Sequence, residues 1–386
     1  MKKHYPKAVI YRMEENYRST GGIVSVCNQF IKTNEKRYDK NIFTKREEGR
    51  TIQLVEVENR FKQIKYVVDE IEGRDYGEVA LLYRNNQTAI TIAKLFVEHR
   101  IPFYLRDFKN RFFSHWAVKD MLEIIEFSSR QNDLKAFGKL YYRLRGYYIS
   151  KQMVENASAK DRNVFESIVE NNGLGDYQRD NVNKLKRNFD TLSGKPPAAG
   201  IDYILDTMGY REFLMDRAGD SDATYDTYMD MIGVLRHLAK GCRNLMELMD
   251  SIRDLESVMK ESTANEGRQV VTLSTIHSSK GLEWDSVYMI DLQEGVFPNR
   301  DVMHQAKDGH MEALEEERRL FYVGMTRAKS LLKLMTVKGS SMSVFVREVD
   351  EILYPEKKLK REKMEKEIKR ACLLYTSPSP RDRSRD

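Results

Sequence analysis

Three stretches of the 386-residue chain combine residue types that can hold a phosphate or a flat ring. In TIHSSKGLEW (275–284), His277 and Lys280 flank two serines ahead of Gly281, so backbone and hydroxyl donors can close on an anion. EEERRLFYVGMTRAK (315–329) carries Thr326, Arg327 and Ala328 at the far end of a helical pattern. A guanidinium there presents a planar fork to phosphoryl oxygens. Such a loop and such a helix together can touch a nucleotide from one side. The third stretch, EENYRSTGGI (14–23), puts Asn16, Tyr17 and Arg18 in the turn before a helix opened by Gly21 and Gly22, where side chains reach a ligand. Its tyrosine offers an aromatic face, which recognises a ring with little directional demand.

Each stretch also has a purely structural reading. Residues 16–18 read as a capped helix start with a stacked surface tyrosine, and a lone histidine in a loop after a strand is more often structural. Glu315, Glu316 and Glu317 fall in the first turns of their helix, favourable to its dipole, with Glu315 placed to pair with Arg319 four residues on. A salt-bridged helix of that kind needs no ligand.

The elements that must position these residues alternate in type. Ile52, Leu54, Val55 and Val57 mark a strand, and residues 61–71 an amphipathic helix. EVALLYRNN (78–86) is the continuous apolar run of a fully buried parallel strand, with Arg84, Asn85 and Asn86 at the carboxyl end that faces ligands in open α/β sheets. A helix over 88–99 and a strand over 101–105 continue the rhythm of a parallel sheet with crossover helices. From about Trp116 to Glu261 the period is helical throughout, with a break at Gly194, Lys195, Pro196 and Pro197. Strands resume at 269–274, 286–292 and 331–337. Phe297 and Pro298 close a turn, residues from there to Gly309 read as loop, and a helix starts at Glu312.

At 41% hydrophobic residues the chain can bury one large core or two ordinary ones. No apolar run approaches a membrane span, and no apolar segment follows the charged N-terminus, which points to a soluble, unexported protein. Cys27, Cys242 and Cys372 lack CxxC spacing, so no metal site or disulfide framework is indicated, and the cytoplasm fits. A net charge of +6 suits a polyanion partner and equally suits ordinary solubility.

Residues 14–23, 275–284 and 315–329 resemble, in order, motifs IV, V and VI of the superfamily 1 DNA helicases of the UvrD/Rep/PcrA type, and the resemblance runs from about Tyr5 to about Thr336. It implies an α/β fold: a RecA-like parallel sheet with flanking helices, called domain 2A, interrupted by an all-helical insertion, domain 2B. The expected bounds are 1–115 and 266–350 for 2A, 116–265 for 2B, and a charged tail over 351–386. By resemblance, Tyr17 stacks on adenine, Arg18 and Arg327 reach the γ-phosphate, and Glu283 accepts from the ribose hydroxyl. Arg84, Asn85, Thr275 and His277 would lie on single-stranded DNA, with a single-/double-stranded junction as a further candidate partner. The activity implied is ATP-dependent movement 3′ to 5′ along the strand.

The chain departs from that pattern in three places. YYRLRGYYIS (141–150) stands where the family usually has a Gly-Ile-Gly turn that touches duplex DNA; Gly146 is kept, but Tyr147 and Tyr148 follow. In FFSHWAVKD (112–120), Trp116 and Ala117 replace a commonly acidic position. The third departure concerns the P-loop, which needs GxxxxGK[ST]. Here Gly138-Lys139 and Gly194-Lys195 are followed by Leu140 and Pro196. ATP and Mg²⁺ are therefore expected only with a separate first RecA-like domain, 1A, in cis or in trans, and the chain alone is expected to be inactive. A stand-alone ATP-independent DNA- or protein-binding module and one half of a split motor are the alternatives. The run KKLKREKMEKEIKR (357–370) reads as a solvated helix or a disordered segment, and CLLYTSPSPRDRSRD (372–386) as translated adapter sequence outside the fold.

Overall fold

VALLY, residues 79–83, has no polar side chain to turn toward water, and all five residues are buried, as a strand covered on both faces requires. It is β2 of a six-stranded sheet in a computed structural model that describes residues 13–37, 40–49, 52–108, 112–158, 162–219, 224–357, 359 and 361. The other strands are β1 (Ile52–Val57), β3 (Phe103–Leu105), β4 (Val271–Thr275), β5 (Trp284–Met289) and β6 (Ala328–Val337). Their order is β1-β6-β5-β2-β4-β3 and every pairing is parallel. The apolar run at 8–11 and the C-terminal segment lie outside the described residues, apart from Lys357, Leu359 and Arg361 of the charge run.

The chain forms two units, one of Met1–Asn85, Ile101–Asp107 and Asn265–Asp386, the other of Asn86–Arg100 and Phe108–Ala264. The first holds the sheet. Its helix Gly21–Ile31 buries Ile23, Val24, Val26, Cys27 and Phe30. Four phenylalanines with no exposure bind the helices of this unit together: Phe321 lies 5.4 Å by ring centroid from each of Phe30, Phe297 and Phe345. Such ring pairs add to the burial of their area.

Two helices were not expected from the pattern. Residues 300–307, read as loop, form the helix Arg300–Lys307, because Asn299 caps it by accepting from the Val302 amide at 2.9 Å. Only Val302 of its eight residues is buried, which leaves almost no apolar period to read. The other is Val344–Leu353, which buries Phe345, Val346 and Val349. Strand edges also moved: β5 starts at Trp284 and ends at Met289, and β6 starts at Ala328.

The second unit is built of helices, from Thr88–Glu98 to Leu245–Ser262, with no strand among its described residues. Thr88–Glu98, counted in the sequence with the sheet, groups here because it packs with Tyr225–Leu238 and Leu245–Ser262. Phe127, Phe137, Phe165 and Phe189 form its aromatic core. No helix among the described residues is long and apolar enough to cross a membrane.

A buried carboxylate lies within that unit. Asp120, 3% exposed, pairs with Arg143 and accepts from the Tyr210 hydroxyl at 2.9 Å. Burial pushes its carboxyl up from 3.8 to about 6, against the pull of Arg143 and Tyr210. The folded state then holds the proton more tightly than the unfolded one, so this contribution to stability is complete below pH 3.8 and is lost as pH rises through about 6. Arg143→Met should destabilise the protein by about 3–5 kcal/mol at pH 8, where it strands a buried carboxylate, and by clearly less at pH 5. Asp120→Asn/Arg143→Met should regain most of the loss. Urea titrations at the two pH values check this, and equal losses at both would count against it.

Candidate functional site

Glu283 immediately precedes β5 and Arg327 immediately precedes β6; the pairing of Trp284 with Ala328 sets them side by side at the amino ends of the two strands. The third residue comes from the turn before Gly21–Ile31. Asn16 Oδ1 accepts from the amides of Arg18 and Ser19, at 2.8 and 2.9 Å, which closes the turn. Ser19 Oγ then donates to Ala328 O at 2.6 Å and the Thr20 amide to Lys329 O at 3.0 Å, fastening the turn to β6. Arg18 Nε consequently meets Glu283 Oε2 at 2.5 Å, and its Nη1 donates to Thr326 O at 3.2 Å. The Arg18 hydrogen bond holds the Glu283 carboxyl below its ordinary value, so it is an acceptor at neutral pH. Tyr17 stands beside this group 77% exposed, its hydroxyl donating to Glu15 at 2.9 Å.

Arg327 is held differently. It is 9% exposed; Nε donates to Val323 O at 2.9 Å, Nη1 to Leu282 O at 3.0 Å and Nη2 to Thr326 Oγ1 at 3.1 Å. Burial, then the charge of Arg18, pulls its guanidinium down to about 10, still protonated at neutral pH. To reach an incoming anion it must exchange these partners. Its helix, Glu312–Met325, approaches the sheet at Gly324, where a Cβ would lie 2.8 Å from Met289 Cε and 3.2 Å from Ile276 Cγ2.

The remaining expected residues lie at the opposite end of the sheet. Tyr83 pairs with Thr275, so Arg84 and Asn85 leave β2 where Thr275 ends β4. Asn85 and His277 are exposed. Arg84 is anchored: Nη2 meets Glu317 Oε1 at 2.8 Å and Nε meets Oε2 at 3.3 Å, the carboxylate residue being 9% exposed. The Thr275 hydroxyl donates to Ser278 Oγ at 2.9 Å and accepts from the Ser278 amide at 3.2 Å, and Ser278 in turn donates to Asp107. Sequence reasoning missed Glu317 as a partner of Arg84, because 233 residues separate them and no local pattern links them. It likewise missed Asp107.

The two groups are joined by residues 276–283. The Ile276 amide donates to Tyr83 O at 2.9 Å, Ser279 is fully buried with its hydroxyl on Ile276 O at 2.6 Å, and Gly281 turns the chain at φ +90°. Among the described residues no cluster of three or more His, Cys, Asp or Glu could hold a metal ion.

The sequence matches the UvrD-like helicase C-terminal domain over residues 11–195 and 210–339. Similar proteins include the ATP-dependent DNA helicase PcrA of Bacillus subtilis, 26% identical in an alignment 358 residues long that covers 87% of this chain and 48% of PcrA. The ATP-dependent DNA helicase Rep of Buchnera aphidicola subsp. Acyrthosiphon pisum is 28% identical over 86% of this chain and 54% of its own. DNA helicase II of Escherichia coli is 27% identical over 86% and 48%. The chain thus spans about half the length of the curated relatives it matches. With its all-parallel α/β sheet and a domain match over most of its length, the chain belongs to the UvrD-like helicase C-terminal domain family.

Proposed function

We propose that this chain is the C-terminal part of an ATP-dependent DNA helicase or translocase that moves 3′ to 5′ on single-stranded DNA. The observation that carries the reading is the gathering of Arg18, Glu283 and Arg327 beside exposed Tyr17 at one end of the sheet, with Arg84, Asn85, Thr275 and His277 at the other. Tyr17 stacks on adenine, Glu283 accepts from the ribose, and Arg18 and Arg327 take the γ-phosphate. The phosphate-cradling loop and the magnesium ligands come from a 1A-type domain, in cis or in trans; when bound, the metal neutralises charge on the transferring phosphoryl group.

The residues of this chain supply a coupling. A phosphate competes with Glu283 for Arg18, and with the Leu282 carbonyl and Thr326 for Arg327. Release of Leu282 frees one end of the 276–283 loop, whose other end carries His277. Nucleotide state and grip on the strand are thereby tied together.

The pure polypeptide should show no DNA-stimulated phosphate release; turnover by it alone refutes the reading. Once a P-loop domain is supplied, Arg327→Ala should lower hydrolysis by roughly 10³- to 10⁵-fold and spare single-strand binding, and hydrolysis at the parent rate would sink the assignment. Arg84→Ala should cost roughly 1–3 kcal/mol of stability in urea, because it leaves a buried carboxylate without its fork. Arg84→Ala/Glu317→Gln should recover most of that loss while remaining weak on single-stranded DNA. Full DNA affinity in the double variant would reduce Arg84 to an anchor.

A further inference from the structure

The loop after the Leu134–Leu140 helix contains two residues in left-handed backbone, Gly146 at φ +86° and Tyr148 at φ +52°. Glycine adopts that conformation freely, whereas a tyrosine adopts it against steric resistance, and such strain collects at functional positions. By the helicase resemblance, Tyr148 stands where a second glycine is usual, and here a ring is carried on left-handed backbone.

That ring is not packed away. Tyr148 is 72% exposed and its ring centroid lies 6.2 Å from that of Tyr177, itself 67% exposed, at an interplanar angle of 41°. The intervening Tyr147 is 3% exposed; its hydroxyl donates to Thr207 O at 3.3 Å and accepts from Asn188 Nδ2 at 2.5 Å. Tyr148 is therefore presented from a fixed base. Exposed Lys184, on the same helix as Tyr177, lies over the Tyr147 ring at 5.8 Å. Lys151, three residues beyond Tyr148, is 80% exposed by side chain and shares its charge with Glu155 at 3.1 Å.

We propose that Tyr148 and Tyr177 form a stacking platform for an unpaired nucleobase of single-stranded DNA, with Lys184 and Lys151 serving the flanking phosphates. Every base has a face that such rings accept, and cations beside the rings track the backbone. Bases in a duplex hide those faces in the stack. The inference rests on the DNA-binding reading above and adds a contact in the helical unit to those assigned to the sheet.

The test titrates the 386-residue chain with a single-stranded oligonucleotide carrying 2-aminopurine and with a blunt duplex, following fluorescence and anisotropy. Tyr148→Gly removes both ring and strain; its Tm should equal or exceed that of the parent. Its single-strand affinity should fall about ten- to a hundredfold, with loss of 2-aminopurine quenching. Tyr177→Ala should behave alike in binding, and Tyr148→Phe should keep the parent affinity. Parent-like single-strand binding by Tyr148→Gly and Tyr177→Ala overturns this proposal alone, as does a matched loss of duplex binding. A parent chain that binds no single strand overturns the DNA-binding reading and this proposal with it.

Discussion

Parallel strands that are not neighbours must be joined by chain that climbs the height of the sheet, and between β4 and β5 only eight residues do so, passing β2 on the way. A five-residue strand rises about 16 Å and two strand spacings add about 10 Å sideways, so the link spans roughly 19 Å. Eight residues reach at most about 30 Å. That is too little for the helix that usually makes a parallel crossover. The loop instead consumes its slack in turns, with Ser279 buried inside it and Gly281 reversing it. Thr275 and His277 at one end of the sheet and Glu283 at the other are thereby held on a single short tether.

The charged groups at both ends share a second constraint: a guanidinium near a protein interior needs partners before any ligand arrives. Arg327 finds carbonyls and a hydroxyl, Arg18 a carboxylate, and Arg84 the carboxylate of a distant helix. Because a partly buried cation keeps its hydrogen bonds in either state, a ligand that offers equivalent acceptors can replace the internal ones at small net cost. Groups arranged this way are suited to switching rather than to permanent capture.

Much of this was legible in the sequence. The strands were readable because a buried parallel strand is a run of apolar residues with nothing to interrupt it, as in residues 79–83, and the candidates Arg18, Glu283 and Arg327 stood out because each lies in a short stretch beside a glycine. The helix Arg300–Lys307 was not readable, since a helix that buries one residue carries no period. Nor was the partnership of Arg84 with Glu317, which only the closing of the sheet brings about. Strand edges at Trp284 and Ala328 escaped because their first residues are chosen by the turn and the neighbouring strand as much as by burial. The departure at Tyr148 was visible as a missing glycine, but its left-handed backbone and exposed ring were not.

The close approach at Gly324 has a further consequence. The helix Glu312–Met325, which ends two residues before Arg327, rests on Met289 and Ile276: a methyl group at Gly324 would lie 2.8 Å from Met289 Cε and 3.2 Å from Ile276 Cγ2, and both neighbours are fully buried. A side chain there makes the flexible end of Met289 swing aside and presses on Ile276, the first residue of the tether. The constraint that position 324 places on the tether is thus one of volume, set by an atom that glycine lacks.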